Sequence, residues 1–302
     1  MPESVFMHYT QEELDRAYDQ RAWAANAVPV IASYGELSRA VKARLKCITE
    51  RYGASEDETL DIYPPLMAAG PTASAAGNGK PGVPIHVFVH GGGWRQLTKD
   101  ESAFAAPAFV ENGVAFVALN FAVIPKAPVP EMVEQCRRAI VWLTRNAWHF
   151  GGDPARMFLS GHSSGGHMAA CLLTTDWGAY GIADAPFKAG MCASGMYDLA
   201  PVLLSARSSY VTLDKAEEDA LSPIRHLDRV TCPIVVVYGD GESPEFKRQA
   251  RDFAATLKAR VRHPSQLVEA KSANHFELAL TLADPNGVMG KIALEQIFGR
   301  RG

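Results

Sequence analysis

Ser163 stands at the centre of Gly161-His162-Ser163-Ser164-Gly165, a G-x-S-x-G pattern whose chemistry is nucleophilic. A serine at the tip of a sharp strand-to-helix turn holds its Oγ clear of the sheet in a strained conformation that leaves no room for bulky neighbours. Gly161 and Gly165 supply that clearance. Arg156-Met157-Phe158-Leu159 is a short apolar run after the turn signal Gly152-Asp153-Pro154, and His167-Met168-Ala169-Ala170-Cys171-Leu172-Leu173 favours a helix. The pattern also occurs in ordinary turns, so its meaning depends on a second signal.

That signal is His90-Gly91-Gly92-Gly93-Trp94, which follows the strand-like run 83–89. Three glycines let the main chain approach a substrate with no side chain in the way. HGGG-type loops placed after such a strand present backbone N–H groups to the oxyanion of a tetrahedral intermediate in lipases and esterases. Gly92, Gly93 and Ser164 are the expected donors and Gly91 serves the turn, with the choice among the three glycines open. A glycine triplet alone is a flexible turn. Two motifs in this order, each after a strand, point to covalent hydrolysis.

A serine nucleophile needs a base and a carboxylate to orient that base, and in this arrangement the chain order is Ser, acid, His. The β-branched run 233–238 is the best strand candidate, and Gly239-Asp240-Gly241-Glu242-Ser243-Pro244 follows it. The acid in such hydrolases commonly sits three residues beyond the glycine that ends this strand, which favours Glu242. Asp240 is the alternative acid, or a donor of turn contacts. Of the nine histidines, His8, His86, His149, His226 and His263 suit surface or packed positions. His90 anchors the glycine loop, and His162 and His167 are expected to pack under the elbow, turned away from Oγ. His275 remains, after the strand 266–270 and the turn 271–274, at the head of a helix running from Phe276; it is the expected general base.

The elements that must hold these groups alternate along the chain. Strands are expected at 59–63 and 114–119, and a helix at 131–149 with Met132, Cys136, Ile140, Leu143 and Ala147 on one face as a core stripe. Such alternation predicts the α/β class: an α/β-hydrolase fold with a mostly parallel central sheet and helices on both faces. Residues 11–47 are helical in composition and either cap the active site or pad the sheet. One domain is expected over 1–302, with 1–50 as a helical cap segment. Residues 71–82, rich in Gly, Ala, Ser and Pro, are expected to form an exposed mobile loop.

Composition narrows the partners. The chain has 302 residues, 47% of them hydrophobic and 21% charged, enough to bury a large core. A net charge of -3 with no basic stripe argues against nucleic acid. The start of the chain lacks the basic and apolar regions of a signal peptide, and no apolar run reaches membrane-spanning length, so a cytoplasmic location is expected. Five scattered cysteines read as buried free thiols. H-E-x-x-H, paired C-x-x-C and a phosphate-binding glycine loop are all missing, so no metal or cofactor is expected. The expected partner is a small-molecule amide or ester; assembly into a homo-oligomer is left open.

The chain resembles the serine-dependent kynurenine formamidases (arylformamidases), α/β hydrolases similar to the hormone-sensitive-lipase type of esterase in the glycine loop. The resemblance rests on His90-Gly91-Gly92-Gly93-Trp94, Gly161-His162-Ser163-Ser164-Gly165-Gly166-His167, Ser194-Gly195-Met196-Tyr197-Asp198-Leu199, Leu221-Ser222-Pro223 and Glu242-Ser243-Pro244-Glu245-Phe246-Lys247-Arg248-Gln249. Tyr18-Asp19-Gln20-Arg21-Ala22 is similar to the family's N-terminal Tyr-Asn-x-Arg pattern. The resemblance implies a formamidase fold and a triad of Ser163, Glu242 and His275. Animal members usually carry Asp where this chain has Glu242, a departure that keeps Asp240 open. It also implies release of formate from an N-formyl group on an aryl or enamine nitrogen, with Trp94, Met196 and Tyr197 either walling the leaving-group site or lying in the core. Two other readings stand beside it: a carboxylesterase using the same triad, and a non-catalytic binding module, which the intact triad disfavours.

Overall fold

The computed structural model describes residues 3–65 and 82–299; apart from Gly82, the loop expected at 71–82 lies outside them. Eight strands form one sheet: β1 (Ile48–Arg51), β2 (Thr59–Tyr63), β3 (Val83–Val89), β4 (Ala115–Leu119), β5 (Gly152–His162), β6 (Phe187–Ala193), β7 (Ile234–Gly239) and β8 (Ser265–Ala270). Their order is β1-β2-β4-β3-β5-β6-β7-β8. β2 runs antiparallel to both neighbours, and every pairing from β4 to β8 is parallel. The helices are α1 (Gln11–Tyr18), α2 (Ala27–Lys42), α3 (Ala106–Val110), α4 (Val129–Asn146), α5 (Ser164–Leu173), α6 (Ala200–Leu204), α7 (Lys215–Ala220), α8 (Pro244–Arg260), α9 (His275–Leu280) and α10 (Val288–Phe298).

The strands read as unbroken apolar runs because both faces of the sheet are covered. Successive side chains of one strand enter different cores: Val87, Val89, Val117 and Leu119 join one, Phe88, Phe116 and Ala118 the other. The first core is closed by α1, α4, α5 and α8 through Leu14, Ile140, Met168 and Phe253. The second is closed by α2, α3, α9 and α10 through Tyr34, Phe109, Leu278 and Ile297. On α4 the stripe Met132, Cys136, Ile140 and Leu143 is fully buried. Burying such a side chain contributes about 1.5–3 kcal/mol.

Three elements differ from the sequence expectation. Gly152-Asp153-Pro154 opens β5 instead of forming a turn, because Val83 pairs with Gly152 before a register shift brings Ile85 opposite Met157. β1 and β6 carry weak local signals: β1 is a four-residue edge strand of alternating exposure, and β6 includes Lys188 and Gly190 in the middle of the sheet. No helix among the described residues is long and apolar enough to cross a membrane.

Candidate active site

The nucleophile position is built by the chain's passage from β5 into α5. Ser163 lies between them with φ 60° and ψ -126°, a conformation strained for a residue with a side chain. Its N–H donates to Ala193 O (2.9 Å) and its carbonyl accepts from His167 N (3.1 Å), so sheet and helix both hold the turn. The flanking glycines are required by contact. A Cβ on Gly161 would stand 2.0 Å from Gly165 O, and one on Gly165 would stand 2.2 Å from Val89 O.

His275 is the first residue of α9. Asn274 caps that helix by accepting from the amides of Phe276 and Glu277, while Glu277 returns a carboxylate to Asn274 N (3.0 Å). The imidazole is buried, with Phe246 and Phe276 each edge-on at 5.1 Å. This packing aims Nε2 at Ser163 Oγ, 2.8 Å away. A serine hydroxyl in that contact can pass its proton to the ring.

Behind the ring lies Glu242, buried, with Oε1 3.6 Å from His275 Nδ1. Oε1 accepts from Gly239 N (3.1 Å) and from Ser194 Oγ. Asp240, the competing acid, instead accepts from Ala273 N (3.2 Å). Backbone hydrogen bonds from Ser272 and Ala273 hold its carboxyl below the usual carboxylate range. Asp240 therefore shapes the turn leading to His275, and Glu242 faces the imidazole. Ser194, at φ 52° after β6, was not singled out by the residue reasoning; its signal was the Ser194–Leu199 stretch of the family resemblance.

The glycine loop is tethered on both sides. His90 Nδ1 contacts Gly91 O (2.9 Å) and its ring stacks on Phe121 at 4.4 Å; burial pushes it down to about 4, so it anchors as a neutral group. Gly92 has φ 107° and Gly93 φ 62°, and the amides of Arg95 and Gln96 both donate back to Gly92 O (3.1 Å each). Trp94 N donates to Ser164 Oγ (3.2 Å), tying the loop to the elbow. Among the described residues the amides of Gly92 and Gly93 enter no backbone hydrogen bond, and Ser164 N belongs to the first turn of α5, where helical partners are lacking. These amides are free to receive an acceptor.

A cavity of about 530 Å³ opens over Ser163 and His275. Ile31, Phe88, Phe104 and Phe276 line it with apolar surface, and Tyr18 and Tyr34 come from the N-terminal segment. The three expected walls are elsewhere. Trp94, Met196 and Tyr197 are at most 1% exposed and lie outside the lining. Tyr197 stacks on Phe253 at 4.1 Å and donates to Cys192 O (3.1 Å), so it braces the core. His162 also differs from expectation: it lines the cavity, its ring centroid is 4.8 Å from that of His275, and its Nε2 is buried without a hydrogen-bond partner. Burial, then the neighbouring His275, drives its protonation well below the ordinary histidine range. His167 packs under the elbow, its Nε2 2.8 Å from Leu221 O, and burial pushes it down to about 4. Cys136, Cys171, Cys192 and Cys232 are buried free thiols, and Cys47 is half-buried and free. Among the described residues no group of three or more His, Cys, Asp or Glu is placed to hold a metal ion.

With this geometry in hand, the likeness to known proteins is informative. The prolyl oligopeptidase family model matches residues 132–286 and the BD-FAE model matches residues 73–183. A kynurenine formamidase of Danio rerio is 32% identical, covering 95% of this chain and 97% of that protein. One of Salmo salar is 31% identical, covering 95% and 96%. The esterase LipQ of Mycobacterium tuberculosis is 29% identical over 66% of this chain and 52% of its own length. Among solved structures, a candidate thioesterase of Silicibacter sp. has a TM-score of 0.75 at 24% identity, covering 93% of this chain and 99% of that one. An esterase of Pyrobaculum calidifontis has 0.67 at 17%, covering 98% of each. The solved structures share the α/β-hydrolase fold, and the end-to-end relatives share the sequence as well. The chain belongs to the kynurenine formamidase family of α/β hydrolases, within the broader group that the prolyl oligopeptidase model describes.

Proposed function

We propose that the protein hydrolyses the C–N bond of N-formyl amides on an aryl or enamine nitrogen, using Ser163, His275 and Glu242. The observation that carries this reading is the 2.8 Å contact between His275 Nε2 and Ser163 Oγ on the floor of a cavity faced by glycine-loop amides. His275 takes the proton of Ser163 as Oγ attacks the formyl carbon. The amides of Gly92, Gly93 and Ser164 receive the oxyanion, each such donor lowering the barrier by about 3 kcal/mol. His275 then gives its proton to the departing nitrogen, the C–N bond breaks and a formyl-enzyme remains. Water, deprotonated by His275, attacks that ester; the Oγ–C bond breaks as His275 returns the proton to Ser163 Oγ, and formate leaves. Glu242 supports the imidazolium that forms in each half. An aryl nitrogen departs more readily than an alkyl amine, which matches the substrate named for the relatives that align end to end.

A small-ester substrate is the second reading, favoured by the partial likeness to the Mycobacterium tuberculosis esterase. Purified protein is expected to cleave N-formylkynurenine or formanilide with a higher kcat/KM than p-nitrophenyl acetate. A strong opposite preference would replace the first reading by the second. In either case the partner is a small molecule, the site works without a metal or cofactor, and the expected setting is the cytoplasm. The N-terminal segment serves as the cap of one domain spanning 1–302. Homo-oligomer formation is compatible with all of this and is read directly by light scattering.

A further inference from the structure

Three arginines, Arg21, Arg95 and Arg207, line the cavity over Ser163. Among the described residues none of them lies within ion-pair distance of a carboxylate, whereas Arg137, Arg138, Arg225 and Arg248, away from the cavity, all do. Arg21 and Arg95 are exposed, so water hydrates their charge. Arg207 is half-buried. Its guanidinium lies 5.9 Å from the ring centroid of Tyr18 and 5.8 Å from that of Trp94, which fixes it in place. Nη2 donates to Tyr18 O (2.8 Å), Nη1 donates to Tyr210 Oη (3.2 Å), and Nε is buried without a partner. All of the acceptors present are neutral. A partly desolvated cation with no counter-ion is costly unless a ligand supplies one, and a guanidinium fork suits a carboxylate best.

The acidic residues of the same cavity are committed to the chain itself. Asp15 accepts from Ala206 N (2.6 Å), Asp19 from Arg21 N (3.1 Å) and Glu101 from Thr98 N (2.9 Å). None of them lies within ion-pair distance of Arg207, so among the described residues no carboxylate of the chain is paired with its guanidinium. Arg207 is also close to the reacting end: a Cβ built on Gly93 would stand 3.3 Å from its Nη1, so the cation borders the loop that faces the oxyanion.

We propose that Arg207 determines specificity by receiving a carboxylate carried on the leaving-group side of the substrate, so that this hydrolase selects anionic over neutral compounds. The inference rests on Ser163 acting as the nucleophile of a hydrolase and refines which substrates reach it. Four compounds test it: a formanilide bearing a side-chain carboxylate, its primary carboxamide, and the acetate esters of the two matching phenols. Wild-type kcat/KM is expected to be at least about tenfold higher for the carboxylate member of each cleaved pair. Arg207→Gln is expected to erase that preference chiefly through KM, and Arg207→Lys to keep part of it. No preference in the wild type overturns the proposal. So does an equal loss on both members of a pair in Arg207→Gln, since a residue that merely holds the loop or the fold slows all substrates alike. If neither formamide is turned over but the anionic ester is preferred through Arg207, the formamidase reading fails and this inference stands.

Discussion

Glu242 Oε1 lies 3.6 Å from His275 Nδ1, inside ion-pair range and beyond hydrogen-bond range. Both Nδ1 and Glu242 Oε2 are buried without a hydrogen-bond partner, while Ser194 Oγ and Gly239 N hold Oε1. The attraction of the Glu242 carboxylate for the ring grows as charge develops on the imidazolium. Glu242→Gln is expected to lower kcat by about 10³–10⁴, as loss of a triad acid does. Asp240→Asn is expected to cost less than about tenfold, because its oxygen is engaged by the Ala273 amide. Steady-state kinetics on one formamide separates them, and the reverse ranking would return the acid's role to Asp240.

Ser163→Ala removes the proposed attacking atom and adds nothing to the cavity. Turnover is expected to fall by at least about 10⁴-fold while the melting temperature stays within a few degrees. Wild-type protein should be labelled at Ser163 by a fluorophosphonate. Folded wild type that stays unlabelled would favour the non-catalytic binding role.

Gly165→Ala is expected to destabilise the fold itself. Its methyl group would meet Val89 O at 2.2 Å and His90 O at 2.3 Å, two backbone atoms that no side-chain rotation can clear. A loss of about 3 kcal/mol or more in urea unfolding is the expected outcome. Gly93→Ala, whose new methyl meets side chains alone, Arg207 at 3.3 Å and Tyr210 at 3.8 Å, should be the milder of the two in stability even with its φ of 62°.

Acid should weaken the fold through its buried histidines. Burial pushes His86 down to about 3 and His90 and His167 down to about 4, against about 6.5 in an unfolded chain. Between pH 6.5 and 4 the unfolded chain binds protons that the folded one refuses, so stability is full above pH 6.5 and drains as pH falls. The cost is about 2 kcal/mol per histidine at pH 5. His86 Nε2 lies 2.7 Å from Ser160 Oγ, so His86→Gln keeps a polar partner there but cannot take a proton. The urea midpoint of that variant should fall less between pH 7 and pH 5 than that of the wild type. Parallel curves would remove His86 from the account.

The chemistry of this chain was written locally, and so it was legible before the fold was known. An elbow is a set of five adjacent residues and a glycine loop is four, so Ser163 and the 91–93 bend stand out from short stretches, whereas the acid stayed open between Glu242 and Asp240 and His275 was reached by position among nine histidines. The long β-branched runs were equally plain, since a strand covered on both faces must be apolar throughout. Only the tertiary structure decided the surroundings. The segments that follow β3 and β6 carry Trp94, Met196 and Tyr197 into the first core, and the end of β5 leaves His162 facing the cavity. Tyr18, Tyr34, Phe104 and Arg207 reach one cavity from several segments of the chain. No local pattern encodes such a meeting, because a cavity is defined by which helices pack over the strand ends, and that depends on burial summed over the whole chain rather than on any residue's neighbours.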